Sequence, residues 1–60
     1  MTKVTKEEFY SLIPEDAVVS FSFHSDLYYL DNKLVGEVSY WADKVEYLID
    51  KSLLNKTNEQ

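Results

Sequence analysis

Three residues within a five-residue span carry the groups of a nucleophilic catalyst: Ser22, His24 and Asp26. Such a triad works only when the fold brings the three side chains within hydrogen-bond reach. Ser22 and His24 would share one face of a strand, but no glycine-rich loop follows them to bind an oxyanion. A chain of 60 residues also leaves little room for a substrate cleft. We therefore expect no enzymatic activity and interpret His24 as an exposed strand residue.

Carboxylates in the second half of the chain offer a different chemistry, metal binding. Asp43, Glu46 and Asp50 would lie on one face of a helix and could hold Ca²⁺. Calcium sites, however, usually draw their oxygen ligands from a loop, and a solvated acidic face is far more common. One histidine and no cysteine argue against a structural zinc site. We expect no metal ion and no cofactor.

The net charge of the chain is −5, from eleven acidic residues and six lysines, with no arginine. Proteins that bind nucleic acid neutralise phosphates with Lys and Arg, and anionic membranes attract basic segments. The charge therefore disfavours direct contact with nucleic acid or with a membrane, and favours a basic, nucleic-acid-binding protein as partner. The simpler interpretation is that the charge keeps a small domain soluble.

The size of the chain limits its core. A chain this short forms one domain at most and buries only about 60% of its unfolded surface. Small scaffolds usually need a disulfide, a metal or a partner, and this chain has no cysteine. The aromatic content of 15% suits an interface, because Tyr and Trp combine an apolar body with a polar tip. Dimerisation or docking onto another protein remains as the source of added stability. No signal peptide or membrane-spanning segment is visible, so we expect a cytoplasmic protein.

The elements that must position these residues begin with a short helix over residues 5–12. Thr5 and Glu8 form a capping box, in which each side chain satisfies a free backbone donor of the other. Val4 and Phe9 are spaced for a hydrophobic staple. Pro14 ends the helix because it disfavours helical backbone at the residue before it. Two turns are unstable alone, so we expect this helix to pack on the domain rather than reach for a partner.

Alternation of apolar and polar residues predicts a half-buried strand over residues 17–24. Its apolar inner face comprises Val19, Phe21 and Phe23. Ser25-Asp26 is a turn signal, and residues 27–30 would form a second strand rich in aromatic residues. The two strands would make an antiparallel hairpin.

The segment from residue 34 to residue 40 has two interpretations. A turn at Asp31-Asn32-Lys33 would start a third strand over residues 34–38, because Asp and Asn tolerate the left-handed backbone of a tight hairpin. Ser39 would then cap the helix that follows. The alternative extends that helix backward, since five apolar residues alternate at spacings of four and three. They are Leu34, Val38, Trp41, Val45 and Leu48. Gly36 costs a helix about 1 kcal/mol relative to alanine, so we favour the strand.

Apolar residues at helical spacing predict an amphipathic C-terminal helix that ends at Leu54. Trp41, Val45 and Leu48 would form its apolar face. Residues 55–60 contain no apolar residue and should form a flexible tail, so the domain spans residues 1–54. The predicted fold class is α+β, with a short N-terminal helix, an antiparallel two- or three-stranded sheet and this C-terminal amphipathic helix.

Acidic residues interleaved with aromatic residues favour one specific function. The acids are Glu37, Asp43, Glu46 and Asp50, and the aromatic residues among them are Tyr40, Trp41 and Tyr47. Spaced carboxylates can occupy the positions of phosphates in a cleft built for nucleic acid and meet its Lys and Arg. The apolar patch would receive a side chain that otherwise probes the duplex. An ordinary amphipathic helix would have the same composition, so both interpretations stay open.

The segment Glu37-Val38-Ser39-Tyr40 resembles the Glu-Val-x-Tyr segment of one group of small acidic phage-encoded inhibitors of uracil-DNA glycosylase. The upstream pair Tyr28-Tyr29 is similar to a tyrosine pair that ends the hairpin region of that group. Ala42-Asp43 and Asp50-Lys51 are similar to its downstream dipeptides. The resemblance implies an α+β homodimer that occupies the DNA-binding cleft of the enzyme, with Glu37 and Tyr40 as contact residues.

The first hypothesis is therefore a protein inhibitor that mimics DNA and blocks the DNA-binding cleft of a host DNA-processing enzyme, uracil-DNA glycosylase in particular. It would act in the host bacterial cytoplasm. The predicted partner-binding residues are Glu37, Val38, Tyr40, Trp41, Asp43, Glu46 and Tyr47. The alternative is a homodimeric phage defence-evasion or adaptor protein that binds another host protein. A third hypothesis is a small structural domain whose acids only solubilise it.

Overall fold

A computed structural model of the chain describes residues 1–58, with side chains through residue 54. In chain order its elements are β1 (Thr2–Val4), α1 (Lys6–Leu12), β2 (Val18–Phe21), β3 (Ser25–Leu30), β4 (Lys33–Trp41), β5 (Lys44–Ile49) and α2 (Lys51–Asn58). Residues 55–58, the first part of the tail predicted for residues 55–60, belong to α2, which continues past the helix end predicted at Leu54. Residues 59 and 60 lie outside the described residues, and the flexibility of the tail stays a prediction.

The five strands form one antiparallel sheet in the order β1-β5-β4-β3-β2. β2 to β5 follow one another as a meander, so each pairs with its neighbour in sequence. β1 pairs with β5, which brings the start of the chain beside Ile49. The strands β1 and β2 are therefore the two edges of the sheet.

The predicted fold class is wrong. The chain is mostly a five-stranded sheet with two short helices, rather than an α+β domain with two or three strands and a long C-terminal helix. Residues Lys44–Ile49 are strand, and helix begins only at Lys51. Val45, Tyr47 and Ile49 put β-branched and aromatic residues at every second position, which suits a strand flanked by neighbours on both sides. Those neighbours, β1 and β4, supply hydrogen bonds that outweigh the helical spacing of the apolar residues.

The N-terminal helix confirms the capping prediction. Thr5 accepts a hydrogen bond from the Glu8 backbone N–H at 3.1 Å, and Glu8 Oε1 accepts one from the Thr5 N–H at 3.0 Å. The helix ends before Pro14, with Ile13 already extended. Phe9 is 0% exposed and anchors the helix to the sheet. The helix thus packs on the domain, as its marginal length requires.

The tight turn after β3 confirms the second local prediction. Asp31 and Asn32 have φ values of 53° and 65°, the left-handed backbone that a two-residue hairpin favours. Leu30 and Lys33 pair across this turn. The turn therefore starts β4, which runs as strand to Trp41 and passes well beyond the residues 34–38 predicted for it.

One face of the sheet carries the core. The register places Gly36, Val38 and Tyr40 of β4 on the same face as Val45, Tyr47 and Ile49 of β5. We call this the helix face, because Val38 and Ile49 share a buried cluster with Phe9 of α1 and Leu53 of α2. The opposite face, which we call the open face, carries Glu37, Ser39 and Trp41 of β4 with Glu46 and Leu48 of β5. The two helices therefore leave one side of the sheet to other uses.

Gly36 lets α1 approach the sheet closely. A Cβ atom at this position would lie 2.7 Å from Ile13 Cδ1 and 3.0 Å from Phe9 Cε1. The pairing of β3 with β4 also shifts here, since Tyr28 pairs with Gly36 and Tyr29 with Leu34. The skipped residue between them marks a β-bulge, which increases local twist. The single glycine of the chain is thus needed for helix–sheet contact, not for a turn.

Candidate partner-binding site

Exposed apolar side chains gather at the end of the sheet where the β2–β3 and β4–β5 turns lie. The backbone N–H of Tyr40 donates to the His24 carbonyl at 2.8 Å, which holds the two turns side by side. Four residues there form what we call the hairpin-end cluster: Phe23, Tyr40, Trp41 and Val45. Phe23 is 91% exposed and Trp41 is 59% exposed. Large apolar side chains exposed together on a small domain mark an interaction surface.

The cluster lies beyond the reach of the helices. A seven-residue helix such as α1 is only about 10 Å long, whereas a nine-residue strand such as β4 spans about 30 Å. Phe9 and Ile13 cover the sheet near Gly36. Tyr40, near the end of β4 on the helix face, projects past this cover and is exposed, whereas Trp41 is exposed on the opposite, open face. The short helix therefore leaves the hairpin end open.

A hydrogen bond between neighbouring strands fixes one member of the cluster, Tyr40. The Tyr40 hydroxyl donates to Asp26 Oδ2 at 2.5 Å. This bond raises the pKa of Tyr40 to about 12, with desolvation and the charge of Asp26 as smaller causes. The phenol is therefore held neutral, and its ring is fixed in orientation on the helix face. Trp41, the next residue along β4, points to the opposite face. The cluster thus wraps around the end of the sheet.

Two of the predicted contact acids have no ion-pair or hydrogen-bond partner for their carboxylates among the described residues. Asp43 lies exposed in the β4–β5 turn, beside Trp41 and Lys44. Glu37 lies half-buried on the open face, on the same side of β4 as Trp41. These carboxylates are free to meet cations of a partner, and both lie on or next to the strand that carries the cluster.

Two other acids are already paired with lysines. Glu46 Oε2 lies 3.5 Å from Lys3 Nζ and 3.6 Å from Lys44 Nζ. Asp50 Oδ2 lies 4.0 Å from Lys33 Nζ. These exposed pairs contribute little stability, but they neutralise the charge that a partner would meet. The acidic surface is therefore narrower than the sequence predicts.

Two predicted partner-binding residues lie inside the domain. Val38 is 2% exposed and belongs to the core cluster. Tyr47 is half-buried, with its ring 5.6 Å from that of Phe9 and 6.0 Å from that of Tyr10. Both side chains hold α1 on the helix face. Of the seven predicted residues, the structure brings Tyr40, Trp41 and Asp43 together at the hairpin end, with Glu37 nearby on the open face.

The acids predicted to share one helix face do not share one. Asp43 lies in a turn, Glu46 on the open face of β5, and Asp50 at the start of α2. Within the part of the chain that the structure describes, no group of three or more His, Asp or Glu side chains is placed to hold a metal ion. The strand geometry of residues 44–49 separates the carboxylates that helical spacing had aligned.

The residues of the nucleophilic triad have other contacts. Asp26 accepts from Tyr40, and the His24 ring packs edge-on against Phe23 with ring centroids 4.4 Å apart. No hydrogen bond between His24 and Ser22 or Asp26 occurs in the described residues. The one depression described, an open hollow of about 530 Å³, lies beside β2 and away from His24. Its lining residues are Val18, Ser20, Tyr29, Asp31 and Asn32.

The exposure of two phenylalanines differs from the prediction made from the sequence pattern. Phe21 and Phe23 were assigned to the inner face of a strand over residues 17–24, but they are 77% and 91% exposed. The strand ends at Phe21, and Phe23 lies in the turn. The signal available in the sequence was the short length of the first helix, because a helix of that length cannot cover the whole sheet.

Comparison of the chain with protein-family models, with curated proteins and with solved structures finds no match. In the described residues, no helix is both long and apolar enough to cross a membrane. The function is therefore inferred from the residues of the chain itself.

Proposed function

We propose that this protein is a non-enzymatic inhibitor that binds the DNA-binding cleft of a host DNA-processing enzyme, most specifically uracil-DNA glycosylase, in the bacterial cytoplasm. The observation that carries this proposal is the hairpin-end cluster, an exposed apolar surface next to unpaired carboxylates. The resemblance of Glu37-Val38-Ser39-Tyr40 to a segment of known inhibitors supplies the identity of the enzyme.

The chemistry of the cluster fits a cleft built for DNA. Asp43 and Glu37 would meet lysines and arginines that otherwise contact phosphates. Phe23 and Trp41 would either pack into the apolar part of the cleft, where a base normally lies, or contact the side chain with which the enzyme probes the duplex. Tyr40, fixed by Asp26, would enter without losing rotational freedom, which reduces the entropic cost of binding. The net charge of −5 would speed association with such a basic surface.

Titration of the purified protein into a uracil-excision assay with a bacterial uracil-DNA glycosylase tests the proposal. Inhibition at stoichiometric amounts, weakening as salt rises, is the expected result. Trp41→Ala and Glu37→Gln should each weaken inhibition, Trp41→Ala by about tenfold or more. Glu15→Gln is the matched control, because it removes the same charge from the α1–β2 turn and should leave inhibition unchanged. Full enzyme activity at large excess of the protein would exclude this enzyme as the target.

One observation favours a second candidate function. Lys3, Lys44 and Lys33 neutralise two of the acids that a DNA mimic would present, which leaves the aromatic side chains as the dominant feature of the surface. A homodimeric adaptor or defence-evasion protein that binds another host protein through these aromatic residues would have this composition. Capture from bacterial lysate on immobilised wild type, but not on Trp41→Ala, followed by reconstitution of the purified pair, would support it over the inhibitor.

A further inference from the structure

The edge strand β2 is short, at four residues, but it lacks the other features that normally prevent a sheet from adding another strand. Residues 17–23 contain no charged residue, no proline and no glycine, and most are β-branched or aromatic. Natural edge strands are usually protected by lysines, prolines, bulges or short length. The other edge, β1, has only three residues and carries Lys3. β2 is therefore the edge of this sheet that is open to pairing.

The hydrogen-bonding groups of β2 that face outward can be assigned from its pairing with β3. The Ser22 N–H donates to the Ser25 carbonyl at 2.7 Å, so Ser22 points its backbone groups toward β3. Alternation along an antiparallel strand then points Ser20 toward β3 as well, and points Val19 and Phe21 away from it. The backbone groups of Val19 and Phe21 are thus available to a further strand.

We infer that β2 pairs with β2 of a second copy of this chain, antiparallel, to form a continuous ten-stranded sheet. A two-fold axis perpendicular to the sheet generates this pairing and places the helices of both copies on the same side. Residues that face each other across the axis must lie on the same face of the sheet. With Ser20 on the axis, Val19 of each copy lies opposite Phe21 of the other, and these two pairs exchange four backbone hydrogen bonds.

Two features of the chain fit a second copy as the occupant. Each copy carries a net charge of −5, so copies repel unless they meet where charge is absent, and residues 17–23 are uncharged. The register with Ser20 on the axis covers Phe21, which is 77% exposed in the single chain, with a β-branched residue. A register with Val19 on the axis would put only Ala17 opposite Phe21. The hairpin-end cluster is not used, so this inference is independent of the proposed function.

Cysteine cross-linking tests both the dimer and its register, because the chain has no cysteine of its own. In Ser20→Cys the two thiols would sit in a non-hydrogen-bonded pair with Cα atoms about 4.5 Å apart, within the range of a disulfide. Ser22→Cys is the matched control, since the same register separates its two thiols by about 14 Å. Mild oxidation should cross-link Ser20→Cys to a dimer and leave Ser22→Cys largely uncross-linked. Equal cross-linking of the two variants would overturn the register.

Sedimentation of unmodified protein over a range of concentrations tests the edge itself. Wild type should associate to a dimer, and Phe21→Lys should raise its dissociation constant about tenfold or more, because each dimer carries the change twice. Ser11→Lys adds the same charge at an exposed position of α1, away from both surfaces, and should leave the dimer intact. Circular dichroism of both variants checks that the fold persists. A wild type that stays monomeric at all concentrations, or a Phe21→Lys that dimerises like wild type, would overturn the inference.

Discussion

The Tyr40 hydroxyl and the Asp26 carboxylate join the end of β4 to the start of β3 through a hydrogen bond of 2.5 Å. The bond favours the neutral phenol, which raises the pKa of Tyr40 to about 12 from an ordinary value of 10.0. Because the folded-state pKa is raised, the stability that this bond contributes is fully present below about pH 10. It is lost as the pH rises through about 12.

An absorbance titration of the phenols checks this pKa. The difference between wild type and Tyr40→Phe isolates one tyrosine of the five, and its titration should fall near pH 12. Asp26→Asn removes the charge and weakens the hydrogen bond, so it should shift the titration of Tyr40 back toward its ordinary pKa. A Tyr40 that titrates at the same pH in wild type and in Asp26→Asn would show that Asp26 is not the cause.

Gly36→Ala should destabilise the domain, although alanine in place of glycine ordinarily stabilises by reducing the freedom of the unfolded chain. The new methyl group would lie 3.0 Å from Phe9 Cε1, and that ring is 0% exposed and has no room to move. We expect a loss of about 1–3 kcal/mol in the free energy of unfolding, measured by denaturant titration. In a Phe9→Leu background the ring atoms are gone, so the loss should shrink. An equal loss in both backgrounds would show that Phe9 is not the obstacle.

Val38 and Trp41 should separate stability from binding. Val38→Ala empties part of the core, because the side chain is 2% exposed, and should cost about 2 kcal/mol of unfolding free energy. Trp41→Ala removes a side chain that is 59% exposed and should change stability by no more than about 0.5 kcal/mol. When both variants are assayed well below their melting temperatures, Trp41→Ala should weaken inhibition or partner binding more than Val38→Ala does. A binding loss confined to Val38→Ala would place the contact surface elsewhere.

Asp50 should give α2 a sensitivity to acid. Its Oδ2 accepts from the Ser52 backbone N–H at 3.1 Å and from the Ser52 hydroxyl at 2.5 Å, at the start of the helix. These two bonds lower the pKa of Asp50 below its ordinary 3.8. Because the folded-state pKa is lowered, the stabilisation is present above about pH 4 and is lost as the pH falls through the folded-state pKa.

Two variants separate the capping role of Asp50 from its titration. Asp50→Asn retains an oxygen that can cap the helix but does not titrate, so its stability should depend less on acid than that of wild type. Asp50→Ala loses the cap and should be less stable than wild type at neutral pH. Thermal unfolding followed from neutral to acid pH measures both effects. Identical acid dependence in wild type and Asp50→Asn would assign that dependence to another carboxylate.

Local features were predictable from the sequence because the interactions that fix them close within a few residues. The capping box joins Thr5 to Glu8 across one helical turn. The ring of Pro14 disfavours helical backbone at Ile13, and the helix ends there. Asp31 and Asn32 adopt the left-handed backbone that their short polar side chains tolerate. In each case the residues that form the structural feature are the same residues from which the sequence predicts it.

The candidate site was predictable only in part. Tyr40 is exposed because β4 extends past the end of α1, and Trp41 is exposed on the opposite face, whereas Val38 on the same strand is buried beneath that helix. The spacing of residues along β4 does not predict this difference in exposure between Tyr40 and Val38, because the difference depends on where α1, a helix from the start of the chain, ends. Phe23 is exposed because it lies in the β2–β3 turn at the same end of the sheet.

The sequence by itself determined the first helix, its caps, the β3–β4 turn and the net charge. Only the tertiary structure decided that Lys44–Ile49 is a strand rather than a helix, because its hydrogen-bond partners come from β4 and from Thr2–Val4 at the other end of the chain. The apolar residues of this stretch satisfy both periodicities. A helix would form its backbone hydrogen bonds within the segment, whereas the strand forms them with two neighbouring strands and also buries Ile49 against Phe9. The stabilisation from these non-local contacts outweighs the preference for helix that the local spacing of apolar residues indicates.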